Sequence, residues 1–185
     1  MLLQEILPTP PSSTAEALEL FDAADAVEPD FMIGTWHGAE LPTGHPMDGL
    51  LETSGWWGKQ FIDAETVHPL LFPDVSGEAL WPLNPALAFG GLGLAAKVPV
   101  LSKMSLAAPI AALRPVLRAH SAKARLRTTR YRGIDTATMI YDQLPINDVF
   151  RKLSDDAVLG AMDFRGSRRP YFFVLRRDNS LRLSR

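Results

Sequence analysis

The last third of the chain constrains its fold more than any other stretch. Five segments, roughly 122–132, 134–142, 146–153, 157–164 and 170–177, are short, rich in β-forming residues and separated by turn-forming pairs. The separators are Arg132-Gly133, Leu144-Pro145, Asp155-Asp156 and Gly166-Ser167. Connections this short join antiparallel neighbours, so the segments form a meander. The stretch from Phe31 to Gly38, FMIGTWHG, reads as a further strand. Six strands are enough for most of a small closed barrel.

The rest of the chain decorates that barrel. At 185 residues the length suits one domain. Residues 1–12 read as a flexible Pro/Ser-containing arm, and 13–185 as a single barrel domain. Ser13 with Glu16 fits a capping box ahead of Leu18, Leu20 and Phe21, which predicts a helix over about 13–25. Met47 to Ile62 has apolar residues at helical spacing and is expected to form a helical lid after the first strand, although Gly55 and Gly58 weaken it. Residues 73–120 form an irregular Pro-rich insert, with one amphipathic stretch near 104–118, and 121–177 hold the meander. The predicted class is mainly β, a calycin-like β-barrel with an N-terminal helix and an inserted lid.

Composition excludes several chemistries. The chain has no cysteine, so disulfides, thiolate nucleophiles and zinc–sulfur sites are ruled out. No histidine pair has metal-ligand spacing, and no metal or cofactor is expected. The net charge of −2 gives no general field for nucleic acid or an anionic membrane. The longest apolar run, ALAFGGLGLAA, is about half a membrane span and carries three glycines. Its GLGLAA core formally matches a dinucleotide fingerprint but lacks the strand and helix around it, and that reading is rejected. With no basic start or long apolar leader, the expected location is cytoplasmic.

GTWHG followed by HPMDGLLETSGWWGKQF resembles the GXWXG family, and RTTRYRGIDTATMIYDQLPINDVFRKL with PYFFVLRR resembles the domain of unknown function that accompanies it. The resemblance spans about 31–72 and 120–177 and implies no particular reaction. The Gly-x-Trp start is also similar to the calycins, the lipocalins and fatty-acid-binding proteins. That similarity implies that Gly34 and Trp36 close the barrel base under a late cation, Arg176 or Arg177, through a cation–π contact.

Candidate site residues come from two stretches. In the first, Trp56 and Trp57 point about 100° apart on a helix, so one is expected in the core and one on the ligand space. Lys59 is read as a solvated lysine, or as a cation reaching an anionic ligand. His45 and Asp48 would form a tunable acid/base pair, unless Asp48 caps the lid helix. In the second, MIYDQLPINDVFRK, Tyr141, Asp142 and Asp148 flank a hairpin with Arg151 following. Two close carboxylates in a low-dielectric interior would divide into an acid and a base. The alternative is a surface ion pair at the hairpin end. Arg125, Arg127 and Tyr131 share one strand face, whose simplest placement is outside the barrel.

These residues support two functions. One is binding of a small apolar or amphipathic molecule, such as a fatty acid, an aromatic or a terpenoid compound, inside the barrel. Its ligand contacts would be Trp56, Trp57, Lys59, Asp48, Tyr141 and Arg151. The other is a cofactor-independent isomerase, hydratase/dehydratase or lyase in which Asp142, Asp148 or His45 moves protons. Nucleic acid and membrane are not expected as partners.

Overall fold

The computed structural model describes residues 1–87 and 105–184. Eight strands run up and down in sequence order, each pairing with the next. They are β2 (Gly34–Leu41), β3 (Gly58–Phe61), β4 (Val67–Pro73), β6 (Ala124–Tyr131), β7 (Ile134–Tyr141), β8 (Ile146–Lys152), β9 (Ala157–Phe164) and β10 (Tyr171–Arg177). The ring closes twice. The first barrel strand pairs with the last, from Phe172↔Leu41 to Arg177↔Trp36, and a single Val67↔Ala124 pair joins β4 to β6. The result is a closed eight-stranded antiparallel barrel, whose size lets side chains fill the interior. Three short strands stand off this ring. β1 (Asp25–Ala26) pairs with β8, and β5 (Ala79–Pro82) extends the sheet from β4 and carries β11 (Arg182–Leu183).

Alternation along the strands sorts the side chains into two cores. The inner one holds Trp36, Trp56, Phe61, Val67, Leu126, Met139, Phe150, Phe173 and Leu175. The outer one forms where helix α2 (Thr14–Ala23) lays Ala17 and Phe21 on Leu41, Val149, Leu159, Phe172 and Val174. Helix α2 starts as its sequence dictates: the Ser13 side chain accepts from the Glu16 amide. The arm expected to be flexible instead contains helix α1 (Leu2–Ile6), and Leu3, Ile6 and Leu7 pack on the outer core. Their burial offsets the entropy of ordering the arm.

The lid differs from expectation. Helix α4 covers only Leu50–Ser54, and Gly58–Phe61 is a strand of the barrel wall. Gly55, at φ 77°, ends the helix in the left-handed conformation that glycine adopts without penalty. Gly58 then lies so close to the Trp36 carbonyl that a Cβ would collide with it, which fixes β3 tightly on β2. The cover is completed by two short helices, Ala107–Ala112 and Arg114–Leu117. The Leu106 amide donates to the Thr53 carbonyl at 2.8 Å. Met47, Leu51, Ile110 and Leu117 pack on the inner core from this end. The GLGLAA run lies outside the described residues.

Candidate functional site

The two ends of the barrel are built differently. At the base, helix α3 (Pro29–Met32) leads into β2, and Trp36 is fully buried, its indole N–H donating to the Met32 carbonyl at 2.7 Å. The Arg177 guanidinium lies 4.3 Å from the Trp36 ring centroid and donates to the carbonyls of Phe31 and Ile33 at 2.6 Å each. Gly34 leaves room for this guanidinium, since a Cβ there would come within 2.8 Å of Nη1. Arg176, one residue earlier, points outward to Glu5. Strand alternation thus selects Arg177 of the two candidate cations.

Midway up the barrel a lysine and an aspartate meet. Lys59 Nζ is 2.8 Å from Asp148 Oδ2 and donates to the Pro69 carbonyl at 3.1 Å. Their side chains are 3% and 1% exposed. Aromatic rings surround the ammonium: Phe173 at 5.0 Å, Trp56 at 5.5 Å and Tyr141 at 5.8 Å to the centroids. Gly38 and Gly160 make this packing possible, because a Cβ at either would overlap the ring of Trp56 or Phe173 respectively. Burial pushes the Asp148 carboxyl above the ordinary aspartate range, against the pull of Lys59. Asp148 Oδ1 and the Trp56 indole N–H are buried without a hydrogen-bond partner among the described residues. Burial also raises the Tyr141 hydroxyl well above the ordinary tyrosine value, with Asp148 adding to it.

Lys59 is therefore neither solvated nor on a lid helix. It occupies a wall strand, facing inward like Phe61 two residues on. Asp142 does not join Asp148. Met139 pairs with Asp148 across the hairpin, so Asp148 shares an inward face with Met139 and Tyr141, while Asp142 falls on the opposite parity. It pairs at the surface with Arg125, 3.4 Å away. Arg151 also faces outward. It is buried beneath α2, with its guanidinium 4.9 Å from the Phe21 ring and donating to the Tyr131 carbonyl. Arg125 and Arg127 lie on the outer face, Arg127 bonded to Glu65.

The upper rim is held by carboxylates. Asp48 Oδ2 accepts from the amides of Thr43, Gly44 and His45, at 2.8 to 3.0 Å. This gathers the turn rather than capping α4. The cap comes from Glu40, which accepts from the amides of Gly49 and Leu51. Burial pushes Glu40 above the ordinary carboxylate range, opposed by the Tyr171 hydroxyl and these two amides. The His45 ring accepts from the Met47 amide through Nδ1 at 3.1 Å and meets Ser167 Oγ through Nε2 at 3.1 Å. With Nδ1 accepting, Nε2 carries the proton. Burial lowers the histidine's pKa. The ring does not contact the Asp48 carboxylate through these bonds, so the expected acid/base pair is replaced by a pinned turn. Trp57 lies outside, stacked on His37 with ring centroids 4.8 Å apart.

Glu40 was missed by sequence reasoning, yet its signal was available. Positions 34, 36, 38 and 40 share one face of a strand, and an inward Trp36 requires an inward Glu40. Phe173 follows by the same parity from Arg177. Among the described residues no three His, Cys, Asp or Glu side chains are arranged to hold a metal ion, and no helix is long and apolar enough to cross a membrane.

Comparison with known proteins agrees with this architecture. The GXWXG protein model matches residues 19–77, and the model described as Domain of unknown function (DUF4334) matches residues 122–177. A crystal structure of a protein from Thermomonospora curvata is 31% identical, with 96% of each chain covered and a TM-score of 0.69. No curated protein matches the sequence. The matched segments contain both halves of the site, Lys59 in the first and Asp148 in the second. The chain belongs to the GXWXG protein family, and its Gly34-Thr35-Trp36-His37-Gly38 signature forms the strand on which the barrel closes.

Proposed function

We propose that the barrel binds a small, largely apolar molecule whose one polar group meets Asp148. The observation that carries this reading is that two buried polar atoms beside the Lys59 ammonium and its surrounding rings, Asp148 Oδ1 and Trp56 Nε1, lack partners among the described residues. Each such group costs about 1–3 kcal/mol when left unbonded. A ligand with an acceptor for the indole N–H and a donor for the carboxylate would recover that cost. Trp56, Tyr141 and Phe173 supply the apolar contacts, and the rim held by Glu40 and Asp48 is the side of entry. Aromatic and terpenoid alcohols or amines have this chemistry.

Native mass spectrometry on protein purified without detergent tests the reading. A retained molecule of this class, lost in Asp148→Asn and kept in Asp142→Asn, is the expected result. Equal retention in both variants would remove Asp148 from the site.

A second reading is proton-transfer catalysis at the same place. It is favoured by the geometry, an Asp148 carboxylate 2.8 Å from the Lys59 ammonium with one oxygen left without a partner among the described residues, and by burial, which raises the carboxyl's proton affinity above that of an ordinary aspartate. Turnover that follows the titration of Asp148, with binding preserved in Asp148→Asn, would assign the chain to this class.

A further inference from the structure

We infer that Lys59 captures carbonyl ligands covalently, as an imine, with Asp148 as its proton partner; this rests on the proposed ligand site. Three observations carry it. The Lys59 nitrogen lies inside the barrel rather than at its rim, with its side chain 3% exposed. Two of its three N–H donors are taken, by Asp148 Oδ2 and the Pro69 carbonyl, which leaves one direction uncommitted among the described residues. The rings of Trp56, Tyr141 and Phe173 lie 5.0 to 5.8 Å from that nitrogen, so an apolar carbonyl compound packed on them has its reactive carbon next to an amine.

An ion pair here is a poor way to stabilise the barrel. Replacing a buried pair by apolar residues of similar volume is often neutral or favourable. A lysine buried among aromatic rings, with a carboxylate in contact, has the components of imine formation. The chemistry balances without an added reagent. Lys59 passes one proton to Asp148 and its lone pair attacks the carbonyl carbon. The new C–N bond forms as the C=O π pair moves to oxygen, which takes up a proton from nitrogen. Asp148 then protonates the resulting hydroxyl, the C–O bond breaks, and water leaves. An ammonium and a carbonyl have become an iminium and water, with no oxidation or reduction. Asp148 ends as a carboxylate facing the iminium. Lys152, also on an inward parity, lies instead near Phe31 at the base, 5.4 Å from that ring.

The test uses two matched pairs of probes: benzaldehyde with benzyl alcohol, and citronellal with citronellol. The alcohols cannot form imines, so quenching of tryptophan fluorescence by them reports the ligand site alone. Each aldehyde is incubated with the full chain and sodium cyanoborohydride, which reduces an imine to a stable secondary amine, and the adduct is located by peptide mapping. The expected result is an adduct on the Lys59 peptide, formed at least tenfold faster than on Lys97, Lys103, Lys123 or Lys152, and absent in Lys59→Arg. That variant retains a cation for Asp148, so loss of the adduct is not loss of the fold; circular dichroism checks this. Alcohol binding without a Lys59 adduct overturns the imine and leaves the ligand site standing. Adducts spread evenly over the lysines, or an unchanged yield in Lys59→Arg, also overturn it. If neither alcohols nor aldehydes engage the protein, both the imine and the ligand reading fall.

Discussion

Arg177 covers Trp36: the guanidinium lies 4.3 Å from the ring centroid while donating to two backbone carbonyls on the approach to the strand that Trp36 occupies. One side chain thus joins the last barrel strand to the segment entering the first. Closure of the barrel and sealing of its base are the same interaction.

Trp36→Ala should cost about 3–5 kcal/mol in denaturant unfolding, as expected for deletion of a fully buried large aromatic. Arg177→Met should cost less but still clearly, because two carbonyls lose a charged donor. Arg176→Ala, which removes only an exposed contact with Glu5, should leave the midpoint almost unchanged. Equal effects at Arg176 and Arg177 would contradict the parity described above.

Gly38→Ala should destabilise by about 1–3 kcal/mol, because the added methyl overlaps the Trp56 ring. The emission of Trp56 should shift as the indole is displaced from Phe173. Adding Trp56→Leu should recover part of the loss. If Gly38→Ala is silent by itself, the close approach of β2 to Trp56 is not what glycine provides there.

The meander was legible because its signal is redundant: five segments, each with turn residues at both ends, end within two residues of the observed strands. The first barrel strand was also visible, though Phe31 and Met32 belong to a helical turn that Pro29 starts. The site was less legible. Four residues, Gly58–Phe61, offer only two inward positions, too few for a period of two to stand out against the helical spacing of Leu50, Leu51, Trp57 and Phe61. From the sequence Lys59 therefore reads as solvated or as reaching an anionic ligand, and nothing in it pairs this lysine with Asp148. Asp142 and Asp148 looked adjacent because a hairpin joins them, but adjacency along a hairpin does not decide the face. Arg151, expected among the ligand contacts, falls on the outward parity of the same strand as Asp148 and packs on Phe21.

Asp148→Asn should destabilise by about 3–5 kcal/mol near neutral pH, since it leaves the Lys59 cation buried without its counter-charge. Asp142→Asn should change stability little, its ion pair with Arg125 being half exposed. Lys59→Met combined with Asp148→Leu should restore most of the stability while abolishing any ligand chemistry. Additivity of Lys59→Met and Asp148→Leu in a double-mutant cycle would mean the two side chains do not interact in solution.

Glu40 makes the cover of the barrel respond to pH. Its carboxylate accepts from the amides of Gly49 and Leu51, and burial raises its pKa above that of an unfolded glutamate. Between the unfolded and folded values the folded state binds more protons, so this group's contribution to global stability falls as pH rises through that window. The local consequence runs the other way. Protonation replaces a charged acceptor by a neutral one, so hydrogen-exchange protection of the Gly49 and Leu51 amides should fall as pH drops through the Glu40 titration. In Glu40→Gln the protection of both amides should be lower and independent of pH over that range. Protection that still followed pH in Glu40→Gln would transfer the effect to His45, whose ring accepts from the Met47 amide.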